Sequence, residues 1–272
     1  MMEKIVMLGT GHGSVMNSYN TCFLLDNNGD NLLVDTGGSI QIIKNLQAAG
    51  YKLTDIHNIF ISHCHTDHIL GLCWIFKKVS VLFLNGEYKE KIKIYCNNEV
   101  AESIKKLLSA VFPDALQKVL QENVSIHILH DGETINVAGE TITFFDVHAK
   151  GNLLYGFETV LNNDAKLVFL GDETCNPILY DKLIGADYVM HEAFCLDSEE
   201  NIPKVVKEHH ATVKSVSETM EPFDIKNLII YHTEDSHRNK KELYTKEAKQ
   251  YFSGNVIVPD DLEEITLVKR RK

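Results

Sequence analysis

"FISHCHTDHILGL", residues 60–72, decides how this chain is read: His63, His65, Asp67 and His68 fall within six positions between two apolar runs. The preceding "HNIFIS" (57–62) has the short apolar pattern of a strand. The following "TDHILGLCWIFKK" (66–78) opens as a helix, with Thr66 as N-cap and Asp67 in the first turn. In extended chain His63 and His65 point to the same side, so both imidazoles can reach one ion. Asp67 and His68 project from the first helical turn, where they can serve a second ion. Cys64 falls on the opposite side. Imidazole with carboxylate suits zinc, manganese or iron in a catalytic site, whereas closed structural zinc sites lean on cysteine.

Other strands end in residues of the same kind. "LLVD" ends at Asp35, "FFDVH" at His148, "VFLGD" at Asp172, "VMHE" at His191 and Glu192, and "LIIYH" at His232. A strand that buries apolar side chains and stops at His or Asp places that side chain at the sheet's end, where α/β proteins build sites. One such ending is ordinarily a cap or a hydrogen-bonded histidine. Several in one chain, together with the 63–68 cluster, point to a site.

The rest of the chain alternates short strands with helices. Strands are expected at 4–8, 21–25, 31–35, 91–96 and 124–147, then at 153–161, 166–172, 187–192, 227–232 and near the end. Helices are expected at 39–50, with Ser39 as N-cap, and at 99–112, 176–185, 212–220 and 240–252. Two strand-rich blocks, each followed by helices, predict two sheets packed face to face with helices outside. The 272 residues contain only five prolines and show no Pro-, Gly- or Ser-rich linker, so a single domain over 1–272 is expected. "GTGHGS" (9–14) is expected to form a tight loop beside the cleft, with His12 and Asn20 as substrate contacts. Trp74 is expected in the core.

The formal net charge of −11 disfavours nucleic acid as a partner. None of the six cysteines forms a C-x-x-C pair. They read as reduced core thiols, and hence as a cytoplasmic protein. The N-terminal apolar stretch is too short for a signal peptide, and no run is long enough to span a membrane.

With these residues in hand, the sequence resembles the metallo-β-lactamase superfamily. "HCHTDH" looks like its H-x-H-x-D-H motif, and Asp35, His148, Asp172 and His232 follow in the order of its remaining motifs. Within that superfamily "LGTG", "HTDHILGL", "HEAF" and "HHAT" are most similar to ribonuclease Z and its relatives. The resemblance implies a four-layer αββα sandwich and two divalent metal ions, with zinc first and manganese or iron as the other choices. It implies that His63, His65 and His148 hold one ion, that Asp67, His68 and His232 hold the other, and that Asp172 bridges them. Asp35 is implied to orient a ligand histidine. The implied activity is metal-dependent hydrolysis, in particular phosphodiester cleavage by a metal-bridging hydroxide, which Asp67 orients or deprotonates. Glu192 of "HEAF" and His210 of "EHHAT" match the family's proton relay, and His209 is the neighbouring alternative. A homodimer is implied by the same analogy.

Some features depart from ribonuclease Z. Its relatives carry a long tRNA-gripping arm between the third-motif histidine and the bridging aspartate, but His148 and Asp172 here are only 24 residues apart. The intervening segment reads as a plain hairpin. Phe194 replaces the threonine of "HEAT". Glu234 and Asp235 beside the site are expected to repel a polyanion. These departures favour a small-molecule ester or phosphodiester over tRNA. An iron-dependent oxidoreductase of the same fold is the other reading, but oxygen-reducing relatives carry Glu where this chain has His65.

Overall fold

The computed structural model describes residues 3–199 and 209–269. Seven strands form the first sheet, in the order β14-β1-β2-β3-β4-β5-β6. They are β1 (Lys4–Gly9), β2 (Cys22–Asn27), β3 (Asp30–Val34), β4 (Asn58–Ile61), β5 (Ile92–Cys96), β6 (Val124–Ile128) and β14 (Glu264–Thr266). The second sheet runs β13-β12-β11-β10-β9-β8-β7. Its strands are β7 (Thr134–Val137), β8 (Glu140–Asp146), β9 (Tyr155–Val160), β10 (Lys166–Phe169), β11 (Tyr188–Glu192), β12 (Asn227–Tyr231) and β13 (Asn255–Ile257). Each sheet is antiparallel on one side and parallel on the other. The change falls at β3/β4 in the first sheet and at β10/β11 in the second.

Strand alternation divides the apolar residues among three cores. Ile5, Met7, Phe23, Val34 and Phe60 of the first sheet meet Phe144, Phe157, Phe169 and Tyr231 of the second in a buried layer between the sheets. Leu8, Leu24, Leu33 and Ile59 face the opposite way, against α1 (Gln41–Ala48), α2 (Thr66–Leu84), α3 (Asn98–Val111) and α4 (Asp114–Asn123). Val168, Val189, Leu228 and Ile230 pack against α5 (Tyr180–Leu183), α6 (Val213–Met220) and α7 (Lys240–Ala248). The layers are therefore αββα.

Several local expectations need correction. The 99–112 segment is followed by a second helix, α4, because Pro113 breaks the first and starts the next. Helix α2 begins at Thr66 itself, with His65 in the cap position and no side-chain cap. Ser39 stands two residues before α1, where its Oγ accepts the Gln41 N–H at 3.2 Å. Trp74 is 45 % exposed instead of buried. Helix α2 buries Ile69, Leu72, Ile75, Phe76 and Val79, and Trp74 lies on the face turned away from that stripe.

Helix α2 is seated closely on the loop after β3. Gly71 N–H donates to Gly37 O at 2.7 Å, and a Cβ on Gly71 would stand 1.9 Å from Thr36 O. Only glycine permits that approach, despite its cost in a helix interior. Away from this region, Glu3 and Glu140 are both buried and meet across Asn162. The Asn162 backbone N–H donates to Glu3 and its Nδ2 to Glu140, each at 2.7 Å. Burial and the neighbouring Glu3 push the Glu140 carboxyl up to about 7.

Glu140 sets a pH dependence of stability. Between pH 4.5 and about 7 the folded Glu140 holds a proton that the unfolded chain releases, so stability falls as pH rises through this window. Glu140→Gln is expected to remove that slope and to stabilise the protein by about 1–3 kcal/mol at pH 8. Denaturant unfolding at pH 5 and pH 8 measures it, and equal pH slopes in both proteins would contradict it.

Candidate metal centre

The site lies where the parallel strands of both sheets end. Asp35 follows β3, His63 follows β4, Asp172 follows β10, Glu192 ends β11 and His232 follows β12. Asp35 and His232 take the left-handed backbone, with φ of 56° and 55°. This conformation is costly for a residue other than glycine and concentrates at functional sites.

A single carboxylate organises the first-sheet histidines. Asp35 is buried; its Oδ1 accepts the Ser62 N–H at 2.8 Å and its Oδ2 accepts the Ser62 hydroxyl at 2.7 Å. The same Oδ2 receives His68 Nδ1 at 2.8 Å. Because the Ser62 hydroxyl donates to Asp35, its oxygen accepts from His63 Nδ1 at 3.0 Å. Both rings thus carry a proton on Nδ1 and turn Nε2 towards the centre.

There the nitrogens meet carboxylates. Asp172 Oδ1 lies 3.6 Å from His63 Nε2, and Asp172 Oδ2 lies 3.2 Å from His68 Nε2 and 3.4 Å from His232 Nε2. Asp67 Oδ2 lies 3.4 Å from His68 Nε2 and 3.5 Å from His232 Nε2. His63 Nε2, His68 Nε2 and His232 Nε2 are buried without a hydrogen-bond partner among the described residues. Spacings of this size match the ~3.4 Å edge of a tetrahedron with ~2.1 Å metal–ligand bonds. His63, His65 and Asp172 form one group able to hold an ion, and Asp67, His68 and His232 form another.

The electrostatics also call for a cation. Burial pushes the carboxyls of Asp67 and Asp172 upward, but the adjoining histidines outweigh it and hold both below the usual range. Burial opposes charge on His68, yet Asp172, Asp35 and Asp67 raise its pKa well above the ordinary imidazole value. Positive charge between these carboxylates is strongly favoured. The His63 pKa is lowered to about 3 by burial, which keeps the ring neutral with Nε2 open. The donor set therefore fits divalent metal ions of the borderline class.

His148 departs from the expected ligand set. It follows β8 with a left-handed φ of 57°, and its N–H donates to Asp146 Oδ1 at 2.7 Å. This turn directs the exposed imidazole towards Asp146, with Nδ1 3.5 Å from Oδ2, and leaves it outside the group formed by His63, His65 and Asp172. His65 is exposed, and its Nε2 is 2.5 Å from Asn152 Nδ2.

On the other side, Glu192 Oε1 accepts the Ala211 N–H at 2.5 Å. Its Oε2 lies 3.5 Å from His210 Nδ1 and 4.0 Å from His232 Nδ1. Burial lowers the His210 pKa, but Glu192 outweighs it and the net shift is upward. His209 lines the adjoining cavity of about 380 Å³, together with His63, His65, Asn152, Leu154, Asp172, Glu173, Phe194 and His210. His191 points away from it and bonds the Glu192 carbonyl through Nδ1.

Some contacts had no sequence signal. Glu173, next to Asp172, is a buried wall of the cavity, and burial raises its carboxyl. Phe194 stacks on His12 at 4.1 Å between ring centroids and faces His210 at 5.0 Å. Burial, then the adjoining His232, lowers the His12 pKa to about 4. Asp235, expected to repel a polyanion, accepts the N–H groups of Met16, Asn17 and Ser18 through Oδ2. Burial pushes its carboxyl up, but these bonds outweigh it and hold it below the usual range, so its charge is kept. Asn20 Nδ2 donates to His12 O at 2.9 Å and thereby serves the loop.

Such an architecture, with imidazoles and carboxylates gathered at the seam of its sheets, is the metallo-β-lactamase fold. More narrowly, the family described as "Anti-Pycsar protein Apyc1" matches residues 3–254, and the chain belongs to it. It is 26% identical over 227 residues to the anti-Pycsar protein Apyc1 of Paenibacillus xerothermodurans, covering 76% of this chain and 86% of that one. It is 24% identical over 304 residues to a ribonuclease Z of Saccharolobus solfataricus, covering 98% of this chain and all of the relative. The metallo-β-lactamase fold protein YhfI from Bacillus subtilis superposes with a TM-score of 0.80 at 18% identity, covering 97% and 99% of the two chains.

Asp35 provides a direct check. Asp35→Ala leaves His63 and His68 without their common anchor and is expected to weaken zinc binding about 10–100-fold. Competition against a chromogenic chelator measures this, and unchanged affinity would show that Asp35 does not orient the histidines.

Proposed function

We propose that the protein is a dinuclear phosphodiesterase acting on small diesters. The observation that carries this reading is the pair of adjoining ligand groups, one containing Asp172 and the other facing its Oδ2 through His68 and His232, beside a cavity of about 380 Å³ walled by His210 and Phe194. Zinc is the preferred metal, held by His63, His65 and Asp172 on one side and by Asp67, His68 and His232 on the other. His148 joins the first group on the strength of the sequence pattern and must turn from Asp146 to do so. Two such ions supply a water of lowered pKa and neutralise charge on the phosphoryl group.

The side chains do the rest. Asp67, 13 % exposed at its side chain, orients the attacking water and receives its proton. Glu192 faces His210 Nδ1, steadies the imidazolium and lets Nε2 protonate the leaving oxygen. A small substrate is supported by the cavity, by the net charge of −11 and by the direct β9–β10 hairpin, which leaves no room for a gripping arm. Compact diesters such as cyclic mononucleotides belong in the first trial panel. The six cysteines, none of them in a C-x-x-C pair, support a reducing compartment, the cytoplasm; among the described residues no helix is long and apolar enough to cross a membrane.

Bis-p-nitrophenyl phosphate is expected to be cleaved in the presence of zinc or manganese, with turnover abolished by chelator and by Asp67→Ala. His210→Ala is expected to cost little with this good leaving group, but about 10²–10⁴-fold with an alkyl diester that needs a general acid. Absence of metal-dependent turnover would reject the reading. Equal losses on both diesters would reject the relay, and efficient cleavage of precursor tRNA would restore the larger substrate.

A further inference from the structure

The turn after β1 is tied down beside the centre. His12 N–H donates to Thr233 O at 3.2 Å, one residue past His232. Asp235 Oδ2 gathers the N–H groups of Met16, Asn17 and Ser18 at 2.9, 2.5 and 2.9 Å. A Cβ on Gly13 would stand 3.0 Å from Asp67 Oδ2, so the turn lies directly against that carboxylate. Without a side chain at residue 13, the backbone can approach this closely.

Two contacts set the His12 ring within this frame. Its face stacks on Phe194 with an interplanar angle of 22°. Ser14 N–H donates to Nδ1 at 3.1 Å. Nδ1 is therefore an acceptor, and the neutral ring carries its proton on Nε2. Nε2 has no partner among the described residues, and the ring centroid is 6.2 Å from that of His232. A rigid neutral donor at this place suits charge that develops on a phosphoryl oxygen. Phe194, the departure from "HEAT", provides the face that holds it.

We propose that His12 contacts substrate by donating its Nε2–H to a non-bridging phosphoryl oxygen, and that Asp235 is the positioning residue that holds the turn carrying it. His12 gives a hydrogen bond and no proton, so the reaction's proton balance stays with Asp67 and His210. The proposal rests on the phosphodiesterase reading above.

The test uses zinc-loaded wild type, His12→Phe, His12→Ala, His12→Gln and Asp235→Asn. Zinc content, kcat/KM on bis-p-nitrophenyl phosphate and calorimetric affinity for inorganic phosphate are measured for each. His12→Phe keeps the stack without the donor; it is expected to retain zinc, to lose about 10²-fold in kcat/KM and to bind phosphate about tenfold more weakly. His12→Gln is expected to recover part of both, and Asp235→Asn to lose about tenfold in each with faster amide exchange at residues 16–18. Should His12→Phe not fold, His12→Ala serves as the donor-free variant. Nitrogen NMR of wild type is expected to show His12 protonated at Nε2, and the Nδ1–H tautomer would overturn the proposal whatever the variants do. Wild-type kcat/KM and phosphate affinity in the donor-free variant would also overturn it. If wild type turns over no diester, the phosphodiesterase reading fails by itself, and the phosphate titration still decides the role of His12.

Discussion

Asp172 is the point at which the two sheets meet chemically. It leaves β10 of the second sheet and sets its oxygens within 3.2–3.6 Å of His63 and His68 from the first sheet and His232 from its own. A buried carboxylate costs several kcal/mol unless positive charge or donors surround it. Here the surrounding groups are imidazoles whose Nε2 atoms are buried and have no hydrogen-bond partner among the described residues. The arrangement makes physical sense around cations. Much of the rest of the fold serves to bring these strand ends together.

Support for this point comes from behind. Asp35 fixes His68 directly and His63 through Ser62, so one buried residue sets two tautomers. Helix α2, which carries Asp67 and His68, is pinned to the loop of Asp35 by the Gly71 contact and by Thr36 N–H, which donates to His68 O at 2.9 Å. The left-handed backbone of Asp35 is held by this packing. On the open side, Phe194 and His210 wall a region large enough for a small diester, and the His12 ring stacks on Phe194.

The sandwich was legible because strand alternation and strand-ending polar residues are local signals. Asp35, His63, Asp172, Glu192 and His232 each close an apolar run, and the His63–His68 spacing is read along one short segment. What stayed hidden depends on distance through space. Asp235 binds residues 16–18, more than two hundred positions away, so the sequence showed its charge but not its partners. The orientation of His148 is set by a backbone angle that no spacing reveals. Trp74 was assigned to the core from its chemistry, whereas its place on α2 decides its exposure. The break before α4 was readable from Pro113, but the apolar pattern on both sides concealed a second helix.

The most direct measurement of the central claim is the anomalous scattering of zinc in crystals of the zinc-loaded protein. The account predicts two peaks, both in contact with Asp172, one also bound by His63 and His65 and the other by Asp67, His68 and His232. A single peak, or zinc bound away from Asp172, would contradict a two-ion centre at the seam of the sheets.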